Sequence, residues 1–176
     1  QNTVLKMSLV IFEPERSTMN IYGYCRISTA KQSIDRQIRN IKAEYPTAHI
    51  VQEAYTGTSI FRPEWLKLYR ILKSGDTVVF DSVSRMSRNA EEGFALYEDL
   101  YHKGIRLVFL KEHHIDTETY KRALSGSIAM TGTNVDFILK GINEYLMALA
   151  KEQIKLAFEQ SEKEVADLHQ RTREGL

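Results

Sequence analysis

The sequence predicts an α/β domain: a mostly parallel central sheet with helices on both faces, followed by one long C-terminal helix. Three observations predict it. Short β-rich runs alternate with segments of helical period, the pattern of successive βαβ units. Hydrophobic residues make up 43% and charged residues 27%, the ordinary balance of a domain with a buried core. From Val135 to Thr172 there is no proline, and apolar residues recur in steps of three, four or their sums.

Each element follows from local chemistry. Asn20–Cys25 (NIYGYC) is β-branched and aromatic and reads as a first strand. Residues 30–44 place Ile34, Ile38 and Ile41 on one helical stripe, and Pro46 follows its stop. His49–Ala54 is a second strand. Tyr55–Arg62 is a polar loop around Gly57, and Pro63 suits the first turn of a helix running to about Leu72. Gly75-Asp76 makes a turn before Thr77–Phe80, a short and wholly apolar third strand. Ser82–Asn89 has no apolar period and is expected to be a loop. Ala90–His102 is helical, with Phe94, Tyr97, Leu100 and Tyr101 on one side, and Gly104 ends it. Ile105–Leu110 is a fourth strand, and Thr117–Leu124 a short helix. Gly126 and Gly132 loosen the chain after that helix.

Val135, Ile138, Ile142, Leu146, Leu149, Ile154, Ala157, Val165 and Leu168 then fit a single helix on the order of 50 Å long or more. Two helices broken near Gly141 are the alternative. A helix of that length overhangs its domain, and its exposed apolar stripe should find a partner.

Composition sets limits on function. Twenty-four Lys and Arg nearly balance twenty-three Asp and Glu, so any nucleic-acid surface must come from clustered cations rather than bulk charge. The one cysteine, Cys25, has no partner for an internal disulfide, and no Cys/His spacing resembles a zinc site. No metal and no small-molecule cofactor is expected. No apolar run approaches the roughly 20 residues of a membrane span, and Leu9–Phe12 is too short for a secretory signal. A cytoplasmic location is expected.

Four arginines stand in polar segments beside strand ends: Arg26 after the first strand, Arg62 after the second, Arg85 and Arg88 after the third. In a parallel sheet the C-terminal strand ends share one edge, where ligands bind. Guanidiniums brought together there would hold a phosphate by planar forks and neutralise a pentacoordinate transition state without a metal. Ser28 lies two residues beyond Arg26 at a helix start. It is a helix cap on one reading and a nucleophile beside an anion site on the other. No Ser-His-Asp arrangement is visible. Cys25 offers a rival, since a cysteine after a strand with Lys31 further on resembles a cysteine-phosphatase loop. That loop, however, lacks its glycines, and Lys replaces the Arg that such loops use.

Tyr24-Cys25-Arg26-Ile27-Ser28-Thr29, with Gln32 and Gln37 behind it, resembles the opening motif of serine recombinases, the resolvase/invertase superfamily. Thr56-Gly57 through Arg62 resembles the second active-site loop of that family, and Ser84-Arg85-Met86-Ser87-Arg88 its two-arginine motif. Gln170–Leu176 resembles the stretch leading toward a DNA-binding domain. The likeness runs from Met19 to Leu176. The segment from about Ser125 to Glu159 looks more like the large recombinases of mobile elements than like small resolvases.

The resemblance implies a resolvase-like fold and a site-specific recombinase acting on a double-stranded DNA crossover site. Ser28 would attack the phosphodiester and form a 5′-phosphoserine link, followed by strand exchange and religation. Arg26, Arg62, Arg85 and Arg88 would grip the scissile phosphate, with Gln32, Gln37, Thr56 and Ser84 in support. Residues 1–18 would be an N-terminal extension or an extra edge strand. Residues 19–134 would be the catalytic domain, and 135–176 a long oligomerisation helix leading to a DNA-binding domain outside this chain. The 135–172 helix would build a homodimer that assembles to a tetramer. A recombinase-like module that dimerises or regulates without cutting is the alternative. One departure stands out: small resolvases usually carry Asp just before the first arginine of the pair, and here that residue is Ser84. A serine does not act as a carboxylate base, so the resemblance leaves the general base open.

Overall fold

Four strands, β1 (Ile21–Arg26), β2 (His49–Glu53), β3 (Thr77–Phe80) and β4 (Arg106–Phe109), make one sheet in the order β2-β1-β3-β4. Every pairing is parallel, with Tyr24 opposite Val51 on one side and Phe80 on the other. The computed structural model describes residues 19–27, 34–54, 62–126 and 128–175. All four residues of β3 are buried, because it is an inner strand covered on both faces; hence the consecutive apolar residues Val78, Val79 and Phe80.

The two-residue period of the strands splits the core in two. Tyr24, Val78, Phe80, Leu107 and Phe109 pack on one face against α2 (Pro63–Ile71), α4 (Ala90–His102), α5 (Thr117–Ser125) and α6 (Asp136–Arg173). Cys25, Val79 and Val108 face the other way, against Ile41 of α1 (Asp35–Glu44). The expected α/β class, with helices on both faces and a long C-terminal helix, is therefore what the chain forms.

One local expectation needs correction. Ser82–Asn89 is not all loop: Val83–Met86 is a one-turn helix, α3. Val83 and Met86 point into the core, and the Glu112 carboxylate accepts from the Val83 N–H at 3.1 Å. That partner is 29 residues away, so no local pattern reveals it. A 3₁₀ turn at His113–Ile115, likewise unexpected, follows β4.

The C-terminal segment is one helix, not two. α6 spans 38 residues and passes through Gly141 unbroken; at 1.5 Å per residue it is about 57 Å long. Only Ile154, Ala157 and Phe158 of α6 are fully buried. Gly93 of α4 makes their seat: a Cβ there would lie 2.5 Å from the Phe158 ring. The N-terminal part of α6 leaves Phe137, Ile138, Ile142, Tyr145 and Leu146 exposed.

Candidate active site

β1 pairs with β2 on one side and β3 on the other, so chain connections leave it in opposite directions. Such a reversal opens a crevice at the carboxyl ends of the strands. Arg26 closes β1 at that point, and α3 follows β3 across from it.

Arg26 is held at both backbone groups. Its N–H donates to Oε1 of Gln37 at 3.1 Å, and its carbonyl accepts from Nε2 of the same amide at 2.9 Å. Gln37 is buried on α1, where the one-sided apolar stripe of that helix docks it under the strand end. The Arg26 side chain crosses to α3, donating from Nη2 to the Ser84 carbonyl at 2.6 Å and from Nε to the Arg85 carbonyl at 3.3 Å. A one-turn helix leaves such carbonyls without partners, and a guanidinium fills them.

Arg62 arrives from β2 by a different route. Glu53, the last residue of β2, is buried and accepts from the N–H of Trp65 at 2.9 Å and from the Tyr24 hydroxyl at 3.2 Å. That caps the first turn of α2 and sets Arg62 at its N-terminal boundary. Arg62 Nη1 then donates to the Met86 carbonyl. Arg85 returns a bond to Arg26, from Nη1 to its carbonyl at 3.3 Å. α3 and Arg26 thus tie three of the four expected arginines together.

The electrostatics carry the same message. Burial first, and then the charges of Arg62, Arg88 and Arg85, push the Arg26 guanidinium down to about 9. Burial likewise lowers Arg85, with Arg36 and Arg88 adding to it and Asp81 opposing. Arg88, half-buried after α3, therefore acts on both. Among the described residues, none of Arg26, Arg62 and Arg85 has a carboxylate in an ion pair. Several cations sharing a half-buried crevice are what an incoming dianionic transition state would neutralise.

The Ser84 hydroxyl pairs with that of Ser82 at 2.7 Å, and its backbone rather than its side chain meets Arg26. Ser28, Gln32 and Thr56 lie outside the described residues. Cys25 is fully buried on the α1 face, where burial pushes its thiol up to about 12. A nucleophilic cysteine needs the opposite shift, so the phosphatase reading fails. Sequence reading passed over Glu53, Glu112, Asp81 and Arg36. The available signal was a carboxylate ending an apolar strand, as in HIVQE and TVVFD.

Fold and site together define an α/β domain whose switch-point crevice is lined with arginine. The family profile "Resolvase, N terminal domain" matches residues 21–164, more than four-fifths of the chain. The chain belongs to the resolvase family and is a site-specific recombinase domain of the serine type. It is 27% identical to the Transposon Tn21 resolvase of Escherichia coli over 159 residues, covering 87% of this chain and 83% of that one. It is 32% identical to a resolvase of Clostridium perfringens over 99 residues, covering 55% of this chain and about half (52%) of that protein. A resolvase family site-specific recombinase from Streptococcus pneumoniae overlays with a TM-score of 0.45 at 20% identity, covering 88% of this chain and 99% of that one. An overlay that loose adds no weight to the assignment.

Proposed function

We propose that this domain cuts and rejoins double-stranded DNA with Ser28 as nucleophile. The serine oxygen attacks a phosphodiester phosphorus, the 3′-oxygen leaves and takes a proton, and a 5′-phosphoserine link remains. A 3′-hydroxyl from a partner strand then attacks that link, restores the phosphodiester and frees the serine. One bond is exchanged for a similar one in each direction, so the scheme draws on no ATP.

The observation that carries the reading is the arginine cluster. Arg26, Arg62 and Arg85 are interlocked through α3, and Arg88 adds its charge to theirs. Guanidiniums in this setting would bind the phosphate oxygens and stabilise the charge that grows in the transition state. They would also favour the serine alkoxide. Gln37 supports by holding Arg26, and Gln32, Thr56 and Ser84 are proposed in the same supporting role. Arg88 is proposed to lie by the leaving oxygen. In this reading residues 19–134 are the catalytic domain. The 135–172 helix assembles a homodimer, and then a tetramer, on the crossover site in the cytoplasm.

The test is trapping of a covalent protein–DNA adduct on the cognate crossover site. The link should vanish in Ser28→Ala and persist in Cys25→Ser; the reverse pattern overturns the assignment. Arg85→Ala and Arg88→Ala should each raise the barrier of the cleavage step by about 3–4 kcal/mol, as loss of one preorganised donor does. Normal cutting by both would end the phosphate-clamp reading.

A further inference from the structure

Among the described residues, two buried side-chain polar atoms lack a hydrogen bond: Oδ2 of Asp81 and Nε of Arg85. They belong to groups of opposite charge, at the end of β3 and in the turn that follows it. Asp81 is 1% exposed. Its other oxygen, Oδ1, is fixed by Asn40 Nδ2 at 2.8 Å. Lys111 stands 3.4 Å from Oδ2 without a hydrogen bond to it, and its own side chain is half exposed. Cys25 and Glu112 feel the Asp81 charge as well, and neither offers it a counter-charge.

Burying a carboxylate oxygen and a guanidinium N–H without a hydrogen bond is costly, so the arrangement favours any state in which they meet. Arg85 currently spends Nη1 on a long bond to the Arg26 carbonyl. A guanidinium held at Nε by a carboxylate keeps its outer nitrogens free in a fixed plane, ready to fork onto a phosphate.

We infer that Asp81 is the positioning residue for Arg85: its Oδ2 takes the Arg85 Nε–H when an anion enters the crevice, aiming the guanidinium at the phosphate. This assigns to a carboxylate three residues upstream the orienting task for which Ser84 has no charge. It rests on the proposed phosphate-binding role of Arg85, and it acts through Arg85 without touching DNA.

Two measurements test it. The first follows the Arg85 Nε–H by ¹⁵N NMR as inorganic phosphate is added to the wild-type chain. The signal should shift and its exchange with water should slow; in Asp81→Asn it should stay fast. A wild-type Nε–H whose shift and exchange do not change when phosphate is added overturns the inference, even if Asp81→Asn proves too unstable to study. The second is a double-mutant cycle on adduct formation. Asp81→Asn should slow cleavage by roughly 10–100-fold with DNA affinity unchanged, but by less than about threefold in an Arg85→Lys background, because lysine has no Nε–H to orient. Losses that multiply in the double variant would mean a structural role only, and would sink the idea. An intact Nε–H response in a protein that never forms an adduct would instead retire the cleavage reading and leave the Asp81–Arg85 pairing standing.

Discussion

The side-chain amide of Gln37 closes on both backbone groups of Arg26, accepting from its N–H at 3.1 Å and donating to its carbonyl at 2.9 Å. A helix residue thereby serves as a short strand partner at the point where β1 leaves the sheet. The position of the Arg26 guanidinium depends on that clamp. Gln37→Leu should leave a buried N–H and a buried carbonyl unpaired. The expected loss is about 2–4 kcal/mol in urea unfolding. A loss under 0.5 kcal/mol, on the order of an ordinary surface change, would mean water replaces the amide.

The seat of α6 predicts a second effect. A methyl at Gly93 would meet the Phe158 ring at 2.5 Å and Ser87 Cβ at 3.0 Å. Gly93→Ala should therefore destabilise the domain by about 1–3 kcal/mol through overpacking. Phe158→Leu should recover part of that loss in the Gly93→Ala background while costing stability alone. Additive losses would show that the two residues do not press on one another.

The exposed face of α6 predicts self-association. Phe137 is 92% and Ile138 66% exposed. A cavity of about 330 Å³ between α5 and α6, lined by Tyr120, Leu146, Leu149 and Ile154, continues the apolar surface. Ile142→Glu should weaken the dimer at least about tenfold in sedimentation equilibrium, which is about 1.4 kcal/mol. The unfolding free energy of the monomer should stay within about 0.5 kcal/mol. A wild-type chain that remains monomeric at high concentration would contradict this.

His113 makes stability depend on pH. Its Nδ1 lies 2.8 Å from Asp116 Oδ2, and Glu44 stands 3.8 Å from Nε2. The hydrogen bond to Asp116 raises the histidine above its ordinary 6.5. A raised histidine stabilises the fold fully below about pH 6.5 and loses that contribution as pH climbs through the elevated value. Burial raises Asp116 above its ordinary 3.8 against the pull of His113, and the contribution of that carboxyl begins to fall in acid, as pH climbs from about 3.8. In His113→Gln, unfolding midpoints should change less than in wild type between pH 6 and 9. Parallel curves for the two proteins would refute the coupling.

Much of the architecture was legible locally. All four strands and five of the six helices fall where periodicity and turn chemistry put them, because burial on one face repeats with the period of the element. Arg26, Arg62, Arg85 and Arg88 were legible for a related reason: each stands beside a strand end, and parallel strands bring those ends to one edge. The details specific to the site were not. α3 looked like loop because its cap, Glu112, belongs to the segment after β4. Glu53 and Asp81 carried no local signal beyond a carboxylate ending an apolar strand, although each is buried and Glu53 holds the first turn of α2.

By itself, then, the sequence determined the α/β order, the two-sided core and which cations reach the common edge, since these follow from short-range patterns of burial. Only the tertiary structure decided that Gln37 grips Arg26, that α3 carbonyls gather Arg26 and Arg62, and that Asp81 and Arg85 each keep a buried polar atom without a hydrogen bond. Hydrogen bonds between groups 11 to 59 residues apart leave no periodic trace in a chain. They exist only once the strands have brought their ends together.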